Sequence, residues 1–332
     1  MRTCTLITVA AVGLSQLRSP SYAQVVTLDG EGAVCTWQVD KTVVGRDLWQ
    51  DSSSSGQFIS GPPIEHSKQG VVYFVVGEDD SGGTLSARNA TSGEEKWSAV
   101  FDGVLGAGLL DASANILFIG SSDLDATGEV LGSGGVHAWR VGDEFGSELW
   151  SVQFLTARFS SRGVLSEKGD SLYVPATDGA LYCFNTTNGV VRWQQTHGAV
   201  FGPPAVLSTG GASLLVASVA NATTNSTLFS LDAHDGSVKW SIDSGLGVTG
   251  APLLSVDGGV VFVAGTQGGV KAFDSNDGSQ IWAVELPVGG VYGQPALATT
   301  TGVLYVGTDS AWVGWQLCFR FFSDGCCSGC RF

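Results

Sequence analysis

The stretch Leu181–Trp193, LYCFNTTNGVVRW, has the pattern of two short β-strands joined by a tight turn at Gly189. Branched and aromatic residues on both sides of a Gly-containing turn are typical of a β-hairpin. Gly suits such a turn because it adopts positive φ angles without strain. The same hairpin pattern recurs along the chain, so this stretch indicates how most of the protein is built.

A Gly stands four residues before each of six Trp residues in the chain. The pairs are Gly45 with Trp49, Gly93 with Trp97, Gly146 with Trp150, Gly189 with Trp193, Gly236 with Trp240, and Gly278 with Trp282. Successive Trp residues of this set are 42 to 53 residues apart, which is the period of repeats that contain four short strands. We therefore predict that each Gly forms a hairpin turn and that each Trp packs between neighbouring repeats instead of binding a ligand.

Two further positions recur in four of the six copies. Ten residues before the Trp is a small residue, and eight residues before it is an Asn or Asp. The small residues are Ala87, Cys183, Ser230 and Ala272, and their polar companions are Asn89, Asn185, Asp232 and Asp274. Asn and Asp side chains accept hydrogen bonds from the turn backbone two residues on, so these residues are expected to brace the turns. The isolated Cys183 is interpreted as a small buried residue.

Short runs of β-branched and aromatic residues precede each hairpin and complete four strands per repeat. The sequence therefore predicts an all-β fold, a β-propeller of four-stranded blades. Complete blades are expected at 58–97, 104–150, 160–193, 200–240 and 248–282. Residues 25–49 match the second half of a blade and residues 291–310 the first half. Joined in one sheet, these halves would bring the total to about six blades; otherwise the chain holds part of a seven- or eight-bladed ring.

The pattern small-x-Asp/Asn-x-x-Thr/Ser-Gly-x-x-x-Trp is clearest at residues 87–97, ARNATSGEEKW. It resembles the repeat of the quinoprotein-like (PQQ-like) β-propeller family, and the resemblance covers roughly residues 25–310. That family includes quinone-dependent dehydrogenases, a bacterial outer-membrane assembly scaffold and luminal domains of endoplasmic reticulum proteins. The resemblance therefore implies the fold and leaves the function open.

Composition restricts the class of partner. The chain has 332 residues and a net charge of −15, with 43% hydrophobic but only 14% charged residues. Nucleic acid is excluded as a partner because phosphate binding needs a basic surface. The acidic surface likewise disfavours an anionic membrane, and no stretch after the N-terminus approaches the ~20 apolar residues of a membrane span, so we expect no membrane insertion of the mature chain.

The two ends of the chain differ from the repeats. Residues 1–23 combine Arg2, a short apolar core at 6–14 and small residues before Gln24, the pattern of a signal peptide. The propeller is expected at 24–310, in a secreted or secretory-pathway luminal protein, or in the periplasm if the source is bacterial. The repeat stops abruptly at residue 311, and residues 311–332 form a tail rich in Cys and aromatic residues. We interpret this tail as an artefact of the gene model, from a misread exon boundary or a frameshift.

Few motifs point to chemistry. Gly245–Gly250 fits GxGxxG but leads into another strand instead of a helix, which argues against dinucleotide binding. Asp274–Gly278 resembles the start of a calcium loop without its final Glu and is interpreted as a turn. No catalytic residue and no metal site are predicted. The tail cysteines, Cys318, Cys326, Cys327 and Cys330, are spaced closely enough to bind zinc.

Candidate N-glycosylation sites are Asn89, Asn185, Asn221 and Asn225, each with Thr two residues on. Of these, the Ser/Thr-rich loop with Asn221 and Asn225 is the better surface candidate.

Three functions stay open from the sequence. The first is a binding or scaffold propeller without catalysis or cofactor, which takes a protein or small ligand at the blade loops or central channel. The second, implied by the family resemblance, is a dehydrogenase for alcohols or sugars that depends on PQQ and calcium. The third is the luminal part of a larger membrane protein. The distinctive residues are explained by the repeat, which favours the first.

Overall fold

The computed structural model describes residues 22–28, 34–40, 43–51, 57–59, 62–78, 82–124, 131–142, 145–196, 204–209, 212–221, 225–248, 250–286, 290–291, 294–298, 303–307, 318–320 and 329–330. Every regular element in these ranges is a β-strand. They contain no helix of the length and apolarity that crossing a membrane requires. The chain divides into two compact units, Met1–Ser160 and Ser161–Phe332.

The strands of both units are short and follow one another at close intervals. The first unit contains β1 (Tyr22–Leu28), β2 (Val34–Asp40), β3 (Val43–Asp51), β4 (Gln57–Ile59), β5 (Ile64–His66), β6 (Val71–Glu78), β7 (Gly82–Asn89), β8 (Glu95–Phe101), β9 (Gly103–Leu105), β10 (Leu109–Asp111), β11 (Ile116–Asp123), β12 (Gly134–Val141) and β13 (Gly146–Phe154). The second unit contains β14 (Val164–Leu165), β15 (Ser171–Pro175), β16 (Ala180–Asn185), β17 (Val191–Thr196), β18 (Ala205–Thr209), β19 (Ala212–Asn221), β20 (Asn225–Asp232), β21 (Val238–Asp243), β22 (Leu253–Leu254), β23 (Val260–Ala264), β24 (Gly269–Asp274), β25 (Gln280–Glu285), β26 (Ala296–Ala298), β27 (Val303–Tyr305), β28 (Cys318–Arg320) and β29 (Gly329–Cys330).

Neighbouring strands pair antiparallel and form separate sheets in chain order. The first sheet is β1-β2-β3, the second β4-β6-β7-β8 with β5 also on β6, the third β10-β11-β12-β13 with β9 also on β11, the fourth β14-β15-β16-β17, the fifth β18-β19-β20-β21, the sixth β22-β23-β24-β25 and the seventh β26-β27-β28-β29. Four-stranded meanders of this kind are propeller blades. The predicted all-β propeller architecture is confirmed. Six of the seven sheets have four or more strands, which fits about six blades.

The second to sixth sheets correspond to the five predicted blades, and two details differ from the expectation. First, the repeat Trp does not end its strand: β17 continues past Trp193 because Gln194, Gln195 and Thr196 still pair with β16. Second, the two half-repeats do not share a sheet. Residues 22–51 form the first sheet by themselves, and β27 pairs instead with β28 at 318–320. Each half thus finds its hydrogen-bonding partners at its own end of the chain.

Strand register explains the small residue of the repeat. In five sheets it lies directly opposite the Trp: Ala87 opposite Trp97, Ala138 opposite Trp150, Cys183 opposite Trp193, Ser230 opposite Trp240 and Ala272 opposite Trp282. Directly opposed residues share one face of a sheet, so the small side chain leaves room for the indole. All five small residues are fully buried.

The second and third strands of a blade carry the core, and the fourth strand faces solvent on one side. In the fourth sheet every residue of β15 is buried, whereas exposed and half-buried residues alternate along β17. Strands covered on both faces are expected to be continuously apolar, and strands covered on one face to alternate. Tyr173, Leu181 and Cys183 form one such core with Leu231 of the fifth sheet, and Trp193 packs against it.

Because the Cys183 thiol is buried, the stability of the folded protein is expected to fall at alkaline pH. Burial raises its pKa from the ordinary 9.0 to about 12, because the thiolate would be desolvated. As pH rises, the Cys183 thiol therefore ionises in the unfolded chain at a lower pH than in the folded chain. This contribution to stability is complete below about pH 9 and is lost as pH rises toward 12. We expect the urea midpoint of unfolding to fall across this window, and to fall less in Cys183→Ala.

The Cys183→Ala variant itself should fold, since Ala occupies the same register position in the second and sixth sheets. In the native wild-type protein, iodoacetamide at pH 8 should leave Cys183 unmodified, because a buried thiol of raised pKa is a poor nucleophile. Rapid labelling of Cys183 under native conditions, measured by peptide mass spectrometry, would contradict this burial.

Candidate functional site

The hairpin turns of the repeat share one geometry. Gly93, Gly189, Gly236 and Gly278 have φ angles of 73° to 75°, in the left-handed region that favours Gly. The amide of each donates to the carbonyl four residues earlier, at 2.8–2.9 Å. Gly146 differs: its φ is not in the left-handed region, and it begins strand β13 in the hairpin that is two residues longer. Gly45 lies within β3.

The Asn and Asp residues of the repeat hold these turns. The side-chain oxygen of Asn89 accepts from the amides of Thr91 and Ser92, at 2.8 and 3.0 Å. The oxygens of Asn185, Asp232 and Asp274 accept from amides two residues on, at 2.8–2.9 Å. A second acceptor follows three residues later, at Asn188, Asp235 and Asp277. Hydrogen bonds from Ser237 lower the pKa of Asp235. Asp274 and Asp277, which resembled calcium ligands in the sequence, thus accept hydrogen bonds from the chain itself.

The repeat Trp reaches into the turn of the following sheet. The indole nitrogen of Trp97 donates to the Gly142 carbonyl at 3.1 Å. In the same way, Trp193 donates to Ala233 at 3.2 Å and Trp240 donates to Ser275 at 2.9 Å. The Ala233 carbonyl also accepts from the Tyr173 hydroxyl at 3.0 Å. Each of these bonds ties one sheet to the next.

The Gly of the following sheet lies against the same indole ring. A Cβ atom on Gly146 would come within 2.6 Å of the Trp97 ring, one on Gly236 within 2.7 Å of Trp193, and one on Gly278 within 2.8 Å of Trp240. Side-chain atoms do not approach so closely. The Gly is therefore required by the Trp of the preceding sheet as well as by its own turn, which explains why the two residues recur together.

The remaining residues named from the sequence are placed as follows. The backbones of Asn221 and Asn225 pair with each other across the end of the β19–β20 hairpin. Trp49 lies in β3, while Trp282 lies opposite Ala272 and packs on the core of the sixth and seventh sheets. Of the predicted signal peptide at 1–23, residues 1–21 lie outside the described residues, as do the cysteines at 326 and 327.

A hydrogen-bonded line of three polar side chains crosses the third sheet. Ser121 Oγ lies 3.0 Å from His137 Nε2, and His137 Nδ1 lies 3.0 Å from Glu148 Oε1. Ser121 and His137 are buried, whereas the Glu148 side chain is 41% exposed. If Glu148 accepts from Nδ1–H, Nε2 is free to accept the Ser121 hydroxyl proton. The sequence alone did not reveal this line.

These three side chains line a pocket of about 480 Å³ in the first unit. Phe101 of β8 forms one wall, with ring centroids 5.1 Å from Trp139 and 5.5 Å from His137. Asp123, Ser151 and Gln153 also reach the pocket. The Trp139 indole nitrogen is buried and has no hydrogen-bond partner among the described residues. The volume falls within the range of small-molecule sites, but the exposed lining is mostly polar, whereas such sites are usually lined mainly by apolar side chains.

Ser121, His137 and Glu148 have the order of a nucleophile, a base and an orienting acid, but their surroundings favour a structural role. Ser121 lies within a regular strand instead of on a sharp turn. Its Oγ accepts a hydrogen bond from the Gly135 amide, at 3.0 Å. That bond and the contact with His137 occupy the hydroxyl on two sides. We interpret the line as a brace across β11, β12 and β13 that also fixes the orientation of the His137 ring.

A second polar cluster lies where the β5–β6 turn meets the third sheet. His66 Nε2 lies 2.8 Å from Asn115 Oδ1, and the His66 ring is fully buried. Asn115 has a φ of 55°, which few residues other than Gly adopt. The nearby pocket of about 350 Å³ is lined by Gln69, Asn115, Arg140 and Phe145, among others. The bond from His66 holds Asn115 in this conformation.

Among the residues that the structure describes, no group of three or more His, Cys, Asp or Glu side chains could hold a metal ion.

Comparison with known proteins identifies the family. The family model described as outer membrane protein assembly factor BamB matches residues 37–197, 133–290 and 206–314. The chain belongs to this family of PQQ-like β-propellers. The resemblance read from the 87–97 motif is thereby confirmed.

Individual relatives are distant. BamB from Yersinia pestis, an outer membrane protein assembly factor, is 27% identical over 149 residues, which are 41% of this chain and 36% of that protein. The match thus spans about a third of the curated relative. Among solved structures, BamB from Moraxella catarrhalis has a TM-score of 0.61 at 14% identity, covering 99% of this chain and 92% of that one.

Quinone enzymes share the same fold. Quinohemoprotein alcohol dehydrogenase from Comamonas testosteroni has a TM-score of 0.67 at 15% identity, covering 86% of this chain and 61% of that one. A europium-containing methanol dehydrogenase has a TM-score of 0.68 at 15% identity, covering 91% of this chain and 72% of that one. At such identities the likeness shows the propeller fold alone.

Proposed function

We propose that the chain is a non-catalytic propeller that binds protein partners as a scaffold or assembly module outside the cytoplasm. The observation that carries this proposal is the match of an assembly-factor family to residues 37–314. The sheet geometry supports it, since the repeat Asn, Asp, Gly and Trp residues serve turns and contacts between sheets. Rigid blades of this kind present loops on a fixed frame for binding.

The location follows from the same reasoning and is also a proposal. A signal peptide at 1–23 would direct the chain to the periplasm of a bacterium or to the secretory pathway of a eukaryote. The net charge of −15 suits a soluble propeller in either compartment. N-terminal sequencing of the exported protein should begin at Gln24; an N-terminus at residues 1 or 2 on the functional protein would contradict export by this signal.

The direct test places a photo-crosslinking amino acid at exposed apolar positions. Leu155 is 91% exposed and Val256 is 74% exposed, so neither replacement disturbs the core. In the native host, we expect discrete crosslinked products that contain the same protein in repeated experiments. The parent protein without the photo-crosslinking residue, irradiated in the same way, is the control for non-specific capture.

The alternative, a PQQ-dependent dehydrogenase, rests on the shared fold of the quinone enzymes. The purified chain should not reduce a redox dye when PQQ, calcium and an alcohol or sugar are added, while a known quinoprotein in the same assay should. Clear reduction would overturn the proposal, as would the absence of any specific crosslinked protein from both positions.

Glycosylation is a further prediction for a eukaryotic host. The sequons at Asn221 and Asn225 flank the end of the β19–β20 hairpin. Hairpin ends commonly lie at the protein surface, where a transferase can reach them. We expect the secreted protein to lose mass on treatment with peptide-N-glycosidase, and Asn221→Gln with Asn225→Gln to remove most of that change. Unaltered mobility of this double variant would assign the glycans to Asn89 and Asn185 instead.

A further inference from the structure

The pocket of about 480 Å³ between β8 and β13 has most of its polar side chains on one face of the third sheet. His137 lies opposite Ser151, and two residues further on Trp139 lies opposite Glu148. Directly opposed residues share a face. Phe101 of β8 covers part of this face, with its half-buried ring centred 5.5 Å from the His137 ring. The pocket is therefore a cleft between two sheets of the first unit.

Two carboxylates on this face have oxygens that no donor among the described residues occupies. The Glu148 side chain is 41% exposed, and Oε1 is the oxygen that bonds to His137. Asp123 follows Ser121 by two residues on β11, so it shares the face on which the Ser121 hydroxyl meets His137. Asp123 is half-buried, and its backbone alone takes part in hydrogen bonds within the described part of the chain. Because burial without a partner is unfavourable for a carboxylate, both groups have capacity for a ligand.

The lining holds no Lys or Arg that would balance these carboxylates, and the exposed Asp102 adds a third. The whole chain carries a net charge of −15. An anion is therefore repelled, and a neutral ligand gains only ordinary hydrogen bonds. A cation gains charge-assisted hydrogen bonds, which are about twice as strong.

The aromatic ring at the cleft favours an organic cation over a metal ion. Aromatic rings attract ammonium and guanidinium groups within about 6 Å of the ring centroid, and Phe101 lies against His137, the residue that bonds Glu148. A calcium ion instead takes about six to eight oxygen ligands, and a ring supplies none. The geometry points to a binding site for the guanidinium or ammonium group of an organic cation, held by Asp123, Glu148 and the Phe101 ring.

Such a group has two sources. One is a free amine or guanidine, which is independent of the scaffold role proposed above. The other is an Arg or Lys side chain on a protein partner, which rests on that role. Both sources need the same chemistry in the cleft, so the site is tested first with free cations.

The test uses the full chain and isothermal titration at constant ionic strength. The cations are ethylguanidinium and n-butylammonium. Ethylurea is the neutral analogue of the first, and propionate and calcium are the anionic and inorganic counter-probes. We expect saturable binding of at least one organic cation, and binding of the three counter-probes that is weaker by about tenfold or more.

A blocked peptide, Ala-Ala-Arg-Ala-Ala, distinguishes the two sources. Binding about tenfold tighter than that of ethylguanidinium would assign the site to a side chain of a partner, since the peptide adds contacts around the cleft. Equal or weaker binding would assign it to a free cation. Either result supports the cation site. A crosslinking experiment that finds no partner argues against the scaffold role and leaves the binding of free cations intact.

Variants of the lining residues locate the bound cation. Asp123→Asn and Glu148→Gln each keep the shape of the side chain and remove its charge, so each should weaken binding about tenfold or more. Phe101→Leu removes the ring and should weaken binding severalfold. Glu167→Gln is the matched control, because it removes the same charge from an exposed residue away from the pocket lining; it should bind as the parent does. Circular dichroism establishes that each variant is folded.

The proposal is overturned if neither organic cation saturates the chain at concentrations up to about 50 mM. Binding of ethylurea or calcium as tight as that of the organic cations would overturn it too. An equal loss of affinity in Glu167→Gln and in the two pocket variants would assign the attraction to the charge of the whole chain. If Glu148→Gln does not fold because its bond to His137 is altered, Asp123→Asn gives the same decision.

Discussion

Replacing Trp193 with Ala is expected to lower the free energy of unfolding by about 3–5 kcal/mol. The ring packs on the core of Tyr173, Cys183 and Leu231 between the fourth and fifth sheets. Its indole nitrogen also donates to the Ala233 carbonyl at 3.2 Å. Truncation therefore leaves a cavity between the sheets and removes a bond that joins them. Urea unfolding followed by circular dichroism measures the loss.

Trp193→Phe separates the two contributions. It keeps most of the apolar ring and removes the N–H donor, so the expected cost is smaller, with the hydrogen bond contributing about 1 kcal/mol. The Ala233 carbonyl keeps its bond from the Tyr173 hydroxyl, which limits the loss. A cost below about 1 kcal/mol for Trp193→Ala would show that the ring contributes little between the sheets.

Adding a methyl group at Gly236 is expected to cost more than adding it at Gly70 or at Gly146, because only Gly236 combines a left-handed φ with a close ring contact among these three. Gly236 has a φ of 74° and its Cβ would lie 2.7 Å from Trp193. Gly236→Ala therefore combines backbone strain of about 1–2 kcal/mol with overpacking of about 1–3 kcal/mol. Equilibrium unfolding in urea checks the sum.

Two matched substitutions isolate each cause. Gly70 has a φ of 62° with no atom within 4 Å of its Cβ position, so Gly70→Ala reports strain alone. Gly146 lacks a left-handed φ, but its Cβ would lie 2.6 Å from the Trp97 ring, so Gly146→Ala reports the contact alone. Gly236→Ala should exceed both. Equal costs at Gly70 and Gly236 would mean that the Trp ring moves aside freely.

The sequence predicted the repeat and its fold because each copy restates the same local requirements. A hairpin with Gly at the turn, a small residue and a Trp on facing strands can be found from spacing alone, and Leu181–Trp193 contains all three. The sequence predicted the Gly from the turn alone. Gly146 has no left-handed φ, and a larger residue there would collide with the Trp97 ring. Contacts between sheets have no fixed spacing that a single sequence reveals.

The pocket could not be predicted for a related reason. Ser121, His137 and Glu148 come from three strands and are separated by 16 and 11 residues. Their alignment depends on the length of the loop after β11 and on the irregularity in register after Ala138. Neither is specified by the repeat pattern. The sequence left the pairing of the two half-repeats open, because strand pairing there depends on which partners are near and not on the pattern of the strands themselves.

The central claim is that the repeat Gly and the preceding sheet's Trp act as one contact. A double-mutant cycle between Trp193 and Gly236 tests it most directly, since non-additive free energies report residues in contact. In the Trp193→Ala background, Gly236→Ala should cost less than in the parent, because the ring that meets the new methyl group is gone and only the backbone strain and the contact with the Gln195 side chain remain. If Gly236→Ala costs the same with and without the Trp193 ring, the two residues act independently and the claim is contradicted.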